Sequence, residues 1–401
     1  MFAGMIWSEF HAKPVHRSVP GWCLVLGLAR ALLTPMAIGS SDGTGPAALF
    51  SAHAIISKMR LVDDWQVAHP IMPTGNRNWE RGTWYTGVMA AYRASGDRRY
   101  LDQALRWGEE QQWKPGTERA GANVLTCSQT YLELYFLTNN RAFIEPTIAW
   151  LDSGRPNTPT GATVWYLDEI RYVDSLYVGA PTLAMLAKAT GDHKYIDWMN
   201  AFFWDVHREV FDQDDGLFYR DKSFIGQKTA DGRKVIWSRG NGWGFASIPR
   251  ILAYLPKNEP GRSEYETLFK QLAAAIIGRQ QPDGLWRPNL DDALEYPVPE
   301  TSGTSFFCFG LAWGIHNGLL DPGTYLPVVR RAWSGLVTNV SPEGKVQWGQ
   351  LVDGGPNAVK QSDSHEYVTG AFLLAGSEML GLAEAGALDG DTGLKPIARA
   401  H

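Results

Sequence analysis

A repeated pattern of hydrophobic and polar positions runs through most of the chain. Each unit is an apolar stretch rich in small residues, a tight polar turn, and a second stretch with charge on one helical face. The pattern is clear at 87–107, 132–151 and 182–199, and weaker at 253–269 and 313–329. Because apolar residues recur at spacings of three and four and a Gly-Asp or similar pair supplies the turn, each unit is predicted to be a helical hairpin.

Two further stretches, Ala47–Met59 and Thr369–Leu382, bring the prediction to about twelve helices, or six hairpins. The small-residue first helix of each hairpin suits a crowded inner ring, and the charged second helix suits an outer ring facing solvent. The pattern therefore predicts an all-α fold, an (α/α)6 barrel of six helical hairpins with short β-hairpin rims at 212–219 and 281–286. A linear helical solenoid is the alternative.

The longer loops precede the predicted inner helices and hold the residues that the helical pattern does not explain. If the inner helices run parallel, these loops meet at one mouth, where helix N-termini favour bound anions. The loops are 76–82, 120–129, 171–177, 237–243, 299–305 and 364–370.

The composition narrows the classes of ligand. With 44% hydrophobic and 20% charged residues in 401, the chain is an ordinary globular protein. Its net charge of −5 provides no basic field for nucleic acid. No segment after the N-terminal region is long and apolar enough to span a membrane. Seventeen tryptophans suit sugar faces as well as core packing, and the oligomeric state is not predicted.

The two ends of the chain fall outside the repeat. Residues 1–39 combine basic residues, an apolar stretch and a small-residue segment, as an export signal does. A disordered leader or a misassigned start codon is the alternative. We predict a leader at 1–39, one catalytic barrel domain at 40–388 and a tail at 389–401. A cleaved signal implies a periplasmic or secreted protein, and its absence a cytoplasmic one.

Asp174 heads the third predicted inner helix in the stretch R-Y-V-D-S-L-Y. An N-cap is a common role for aspartate, and this is its simplest interpretation. Its place at the predicted mouth makes a catalytic carboxyl the second interpretation. The residues alone leave both open.

The stretch W-S-R-G-N-G-W at 237–243 places a cation between two large rings. Trp237, Arg239 and Trp243 form either a stacked structural cluster or a pocket for a sugar acid, with indole on the ring face and guanidinium on the carboxylate. Gly240 and Gly242 favour the pocket because they let a ligand approach the backbone. The stretch does not indicate a phosphate loop, since the Lys-Ser/Thr ending is missing and no strand leads clearly into it.

Other polar residues near the mouth are open to two interpretations. Arg220 and Lys222 either add positive charge or pair with Asp221. His365 either contacts a ligand or is structural. The nine histidines include no H-E-x-x-H set and the three cysteines no metal spacing, so we predict no metal and no cofactor.

Six motifs together resemble those of one enzyme family. They are Q-T-Y-L-E-L-Y (129–135), the Asp174 segment, F-Y-R-D-K-S-F, W-S-R-G-N-G-W, P-E-T-S-G-T-S-F-F and G-A-F-L-L-A-G-S-E (370–378). The chain resembles, from about Trp65 to Leu382, the unsaturated rhamnogalacturonyl hydrolases of glycoside hydrolase family 105, close relatives of the unsaturated glucuronyl hydrolases of family 88. The resemblance implies an (α/α)6 barrel. It also implies removal of a 4,5-unsaturated uronic acid from the non-reducing end of lyase-generated oligosaccharides, by hydration of the C4=C5 double bond.

The resemblance also implies roles for individual residues. Asp174 matches the catalytic acid/base, and Trp237, Arg239 and Trp243 match substrate-contacting positions. The full predicted substrate-binding set is Asn123, Tyr172, Arg220, Trp237, Arg239, Trp243 and His365.

One position departs from the family pattern. An acidic residue usually stands a few positions before Q-T-Y, where this chain has Asn123 and Val124. This departure keeps a glycan-binding protein without activity as a rival interpretation. A sugar epimerase or an ordinary inverting glycosidase is another, and the latter needs a second acid. The candidates for that acid are Asp168, Asp221 and Glu300.

Overall fold

The structure, a computed structural model, describes four stretches of the chain: 49–71, 75–117, 121–153 and 171–388. The predicted leader at 1–39 and the predicted tail at 389–401 lie outside the described residues. Asp168 and Glu169 also lie outside them.

Helices form almost all of the described architecture. In chain order they are α1 (Ala52–Ala68), α2 (Trp79–Ser95), α3 (Arg98–Glu110), α4 (Thr126–Thr138), α5 (Glu145–Asp152), α6 (Ser175–Val178), α7 (Ala180–Thr190), α8 (Lys194–Val210), α9 (Ser238–Leu252), α10 (Arg262–Ile277), α11 (Thr301–His316), α12 (Pro322–Thr338) and α13 (Glu366–Glu384). Helices α6 and α7 are two parts of one inner helix, interrupted at Gly179.

The helices form two layers that differ in burial. In α9 every residue from Ser238 to Leu252 is buried, as an inner position requires. In α10 only one stripe is buried, at the spacing of an outer helix that faces solvent on its other side. That stripe is Tyr265, Leu268, Phe269, Leu272, Ala273 and Ile276.

The inner layer closes on itself. Contacts run from α2 to α4, from α4 to α7, from α6 and α7 to α9, and on through α11 to α13, which packs on α2. A linear solenoid leaves its first and last helices apart. The contact between α13 and α2 therefore confirms the predicted (α/α)6 barrel and excludes the solenoid.

One of the two predicted β-hairpins is present. Strand β1 (Phe211–Asp212) pairs antiparallel with β2 (Leu217–Phe218), as predicted at 212–219. The prediction at 281–286 was wrong, because that segment forms a turn in which the Gln281 amide donates to the Leu285 carbonyl at 2.9 Å. The chain beyond it bonds to the segment before α9 instead of folding back, with the Leu290 amide donating to the Ile236 carbonyl at 2.8 Å.

The cysteines in the described part of the chain, Cys127 and Cys308, are buried free thiols. No helix in the described part of the chain has the length and apolar character needed to cross a membrane.

The ring closes through a backbone contact between two glycines. A Cβ atom on Gly87 of α2 would lie 2.3 Å from the Gly370 carbonyl oxygen, and one on Gly370 would lie 2.4 Å from the Thr83 carbonyl oxygen. No side chain fits at either position without separating α2 from α13. The small residues of the inner helices are therefore a steric requirement of closure.

We expect Gly87→Ala to destabilise the protein by about 1–3 kcal/mol, the usual effect of overpacking a core. The measurement is the free energy of unfolding from urea denaturation. Gly278→Ala is the control, because its nearest neighbour would be the Ala275 carbonyl oxygen at 3.9 Å. Equal stability of Gly87→Ala and wild type would contradict tight closure at this seam.

Candidate active site

The N-terminal ends of the inner helices meet at one end of the barrel. Arg81 at the start of α2 donates to both carboxylate oxygens of Glu366 at the start of α13, at 2.6 and 2.7 Å. The Trp79 ring, beside Arg81, lies 5.8 Å from that of Trp243 in α9 and 5.3 Å from that of Tyr367 in α13. The inner helices therefore run parallel, and the predicted mouth is present.

Most of these helix ends have no side-chain cap. Only α11 has one among the described inner helices: Glu300 accepts from the amides of Ser302 and Gly303 at 2.8 and 2.7 Å. Some leading amides donate to backbone carbonyls instead, as Ser175 does to Tyr172 and Ser238 to Pro288, so it is the helix dipoles at this mouth that favour a bound anion. The uncapped starts are Asn78, Leu125, Asp174, Trp237 and His365.

Asp174 begins α6, but its side chain makes no capping bond. It is half-buried, and its Oδ2 is a buried atom with no hydrogen-bond partner among the described residues. Burial raises the pKa of Asp174, while the charges of Arg220 and Arg239 act to lower it. A carboxyl with a raised pKa is suited to donate a proton.

Arg220 lies close enough to Asp174 for its charge to act on that carboxyl. Its guanidinium stands over the Tyr172 ring at 5.1 Å and pairs with Asp221 through Nη1. Its Nε is buried without a partner among the described residues. The Tyr172 hydroxyl donates to Oδ1 of Asn123 at 3.1 Å. Three members of the predicted binding set thus form one wall beside Asp174.

The charge of Arg239 also acts on Asp174. The Arg239 side chain is stacked between two rings, with its guanidinium carbon 4.5 Å from the Trp237 ring centroid and 5.1 Å from that of Tyr367. Its Nη1 donates to the carbonyls of residues 350 and 351, at 3.0 and 2.8 Å, and to the Tyr367 hydroxyl. Its Nη2 donates to the carbonyl of residue 353 at 2.9 Å.

This geometry bears on both interpretations of the 237–243 stretch. The terminal nitrogens of Arg239 already bind protein acceptors, which matches the stacked structural cluster. Trp237 and Trp243 are each only 1% exposed. The half-buried rings of Trp79 and Tyr172 are more accessible to a ligand. Direct contact of Arg239 and the two indoles with substrate stays a prediction.

His365 is buried at the start of α13, against the Tyr367 ring. Burial is the main cause that lowers the pKa of His365 to about 4, and the nearby Arg239 and Arg81 charges act in the same direction. The imidazole is therefore neutral at pH 7, and its buried Nδ1 has no partner in the described structure. It is available for hydrogen bonding and not for charge neutralisation.

The candidates for a second acid are engaged elsewhere or not described. Asp221 accepts from the Ser223 amide at 2.8 Å and pairs with Arg220, and Glu300 caps α11. Val124, at the family's usual acidic position, is buried, and the neighbouring Asn123 holds Tyr172. Within the described mouth, Asp174 is therefore the carboxyl that best fits proton transfer.

Comparisons with known proteins agree with this site and fold. The protein family described as "Glycosyl Hydrolase Family 88" matches residues 54–383 of this chain. An unsaturated 3S-rhamnoglycuronyl hydrolase of Formosa agariphila is 32% identical over 349 residues, which cover 82% of this chain and 91% of the relative.

The chain belongs to glycosyl hydrolase family 88.

Solved structures support the same assignment. A family 88 glycosyl hydrolase from Bacteroides vulgatus has a TM-score of 0.75 and 28% identity, covering 82% of this chain and 99% of its own. A structure named as a polysaccharide lyase also has a TM-score of 0.75, with 29% identity, and covers 83% of this chain and 98% of its own. The protein is a glycoside hydrolase, and the predicted resemblance to unsaturated uronyl hydrolases is confirmed.

Sequence reasoning missed part of this family 88 mouth. The segment 350–353 binds Arg239 through backbone carbonyls. Because every residue type has a backbone carbonyl, this contact leaves no recognisable motif in the sequence. Tyr367 and Trp79 lay inside loops that were recognised, but nothing in the sequence showed that their rings meet. Among the described residues, no group of three or more His, Cys, Asp or Glu could hold a metal ion.

We expect Arg239→Lys to release the 350–353 segment, because one ammonium group cannot replace a planar fork that reaches three carbonyls. Amide hydrogen exchange in that segment should become faster. Lys222→Gln is the control, since Lys222 is exposed. Unchanged protection of residues 350–353 would show that the segment is held by other contacts.

Proposed function

We propose that this glycoside hydrolase removes a 4,5-unsaturated uronic acid from the non-reducing end of an oligosaccharide. The observation that carries the proposal is the position of Asp174. Its carboxyl is buried at the mouth without a hydrogen-bond partner for Oδ2 in the described structure, has a raised pKa, and lies near two arginines. This arrangement fits a protonated acid beside a bound anion.

The reaction needs one such carboxyl. Asp174 donates its proton to C4 of the double bond, which leaves an oxocarbenium-like centre at C5. Water adds at C5 and gives its proton to the Asp174 carboxylate, which restores the acid. The hemiketal then opens to a keto acid, and C1 releases the aglycone. No nucleophile attacks C1, so a mouth without a second acid before Q-T-Y is adequate.

Arg220 is the proposed partner of the substrate carboxylate. Its Nε is buried and unpartnered within the described residues, and its side chain keeps access to solvent at 25% exposure. Arg239 has both terminal nitrogens bound to the protein, so it shapes the wall and adds positive charge. A bound carboxylate beside Asp174 raises the pKa of that acid further, which favours the protonated form.

The aglycone is proposed from the relatives. The curated relatives from Formosa agariphila and Alteromonas, both 32% identical, are named unsaturated 3S-rhamnoglycuronyl hydrolases. We propose a substrate in which the unsaturated uronyl residue is joined to rhamnose. Whether rhamnose carries sulfate is tested by a panel of pectin, ulvan and glycosaminoglycan lyase products.

The decisive assay follows the enol-acid absorbance of the unsaturated residue. A hydrolase of this kind consumes that absorbance, and a lyase, as one structural neighbour is named, creates it from a saturated polymer. A saturated uronide with the same aglycone should bind yet stay intact, because it has no double bond to protonate. Thermal protection without loss of absorbance would identify a glycan-binding protein, and hydrolysis of the saturated uronide would identify an ordinary glycosidase.

We expect Asp174→Asn to lower kcat by about 10²- to 10⁴-fold with the fold intact, because the amide has no acidic proton to donate. Turnover of the unsaturated disaccharide and circular dichroism are the two measurements. Asp321→Asn is the control, because it makes the same change at the exposed N-cap of α12, where an asparagine oxygen can still accept from the Thr324 amide. Near-normal turnover by Asp174→Asn would remove it from the mechanism.

We expect Arg220→Lys to weaken substrate binding by about 1.5–3 kcal/mol, the range for hydrogen bonds to charged groups. The sharper comparison uses an analogue whose carboxylate is reduced to an alcohol. Wild type should prefer the carboxylate form, Arg220→Lys should lose that preference, and Arg239→Lys should keep it. The opposite result for the two arginines would assign the carboxylate to Arg239.

A further inference from the structure

We propose that Gln129 is a positioning residue, whose side-chain amide holds the backbone turn that presents Asp174. This inference rests on the proposed role of Asp174 and adds a residue that does not touch substrate. It gives a physical role to the first residue of the Q-T-Y-L-E-L-Y motif, which none of the mouth contacts uses.

The need for such a residue follows from the break between α6 and α7. In an α-helix the carbonyl of residue i accepts from the amide of residue i+4. For Tyr177 that residue is Pro181, which has no N–H. The Tyr177 carbonyl therefore loses its regular helical partner inside the core, where Tyr177 is fully buried.

Gln129 supplies the missing donor. Its Nε2 donates to the Tyr177 carbonyl at 2.9 Å. Tyr177 lies one turn after Asp174, and the Tyr177 amide donates to the Asp174 carbonyl at 3.1 Å. The amide of Gln129 therefore bonds to the same turn that carries the proposed acid.

A hydrogen bond from Arg250 fixes the orientation of the Gln129 side-chain amide. Arg250 donates from Nε to Oε1 of Gln129 at 2.7 Å. Because arginine has only donors, the atom facing it must be oxygen, so the NH₂ group must face the Tyr177 carbonyl. Arg250 in turn donates from Nη2 to Glu133 at 3.0 Å, and Glu133 also pairs with Arg93.

The hydroxyl of Tyr177 adds a second restraint on the same turn. Thr86 lies 2.7 Å from that hydroxyl, and the Thr86 hydroxyl donates to the Thr83 carbonyl at 2.8 Å. The Tyr177 side chain is thus bound to α2 while its backbone is bound to α4. An error of about 1 Å in the position of a catalytic group lowers rates by as much as about 100-fold, so this support is functionally important.

Gln129→Glu tests the inference most directly. A carboxylate still accepts from Arg250 and balances the net positive charge of the group Arg93, Arg250 and Glu133, but it cannot donate to the Tyr177 carbonyl. We expect kcat to fall about 10- to 100-fold with KM little changed.

The pH profile provides a readout that a purely structural role would not change. Asp174 must be protonated to act, so kcat falls as pH rises through its raised pKa. A displaced turn lets water reach the carboxyl and lowers that pKa, so the alkaline limb of kcat should move to lower pH. Carbon-13 titration of the Asp174 carboxyl measures the same shift without substrate, so it tests positioning even if the proposed function fails.

A second-site change provides the rescue. Pro181→Ala restores an N–H four residues after Tyr177, so adding it to Gln129→Glu should recover most of the lost kcat and the normal pH profile. Ser128→Ala is the control on α4, because it removes a buried hydrogen bond from Thr147 on another face. Its kcat and Asp174 titration should match wild type.

Each remaining outcome decides the inference. A folded Gln129→Glu with wild-type kcat and Asp174 titration overturns it, and so does a loss that Pro181→Ala fails to relieve. If Gln129→Glu does not fold, Gln129→Leu takes its place in the same comparisons. If both variants unfold and Pro181→Ala does not restore folding, the inference is also overturned. The Gln129 amide would then stabilise the core without a separate role in positioning Asp174.

Discussion

The backbone contact that closes the inner ring is the constraint on which the rest of the structure depends. Gly87 and Gly370 let α2 and α13 touch where any side chain would collide with a carbonyl oxygen. The buried pair of Arg81 and Glu366 lies across the same seam. A buried ion pair is weak evidence for stability, but either partner alone would be an unpaired buried charge. The pair therefore enforces closure and keeps the loops at one mouth.

The regular ring is interrupted at the inner helix that begins with Asp174. Gly179 and Pro181 break that helix after one turn, which leaves Asp174 on a short segment instead of a long rigid one. Buried polar atoms without partners in the described structure are also concentrated at this mouth. They include Oδ2 of Asp174, Nε of Arg220, Nε of Arg239, Nε1 of Trp243, Oγ of Ser364 and Nδ1 of His365. Such atoms are rare in protein interiors and mark a place built for a polar ligand.

Three arginines at the mouth differ in role because they differ in partners. Arg81 neutralises Glu366, and Arg239 is fully buried against backbone carbonyls and two rings. Arg220 is partly exposed, at 25%, whereas Arg239 is 1% exposed with both terminal nitrogens bound to the protein, so Arg220 is the one that an incoming carboxylate can reach. All three contribute positive charge, yet only the contact geometry distinguishes a wall from a binding group.

The sequence by itself determined the layers, the helical hairpins and the loops that meet at the mouth. These depend on local periodicity and on small residues, and both are visible along the chain. It also identified Asp174, Arg239 and His365 as neighbours through their loops, and it singled out Arg220 through the motif F-Y-R-D-K-S-F. Their roles depend on long-range contacts, which no local pattern records. Only the tertiary structure decided that Arg239 binds backbone carbonyls in the segment 350–353 and that Gln129 reaches the Tyr177 carbonyl. It also decided that Asp174 is desolvated and does not cap its helix. Each of these features depends on the packing of segments that are far apart in the sequence.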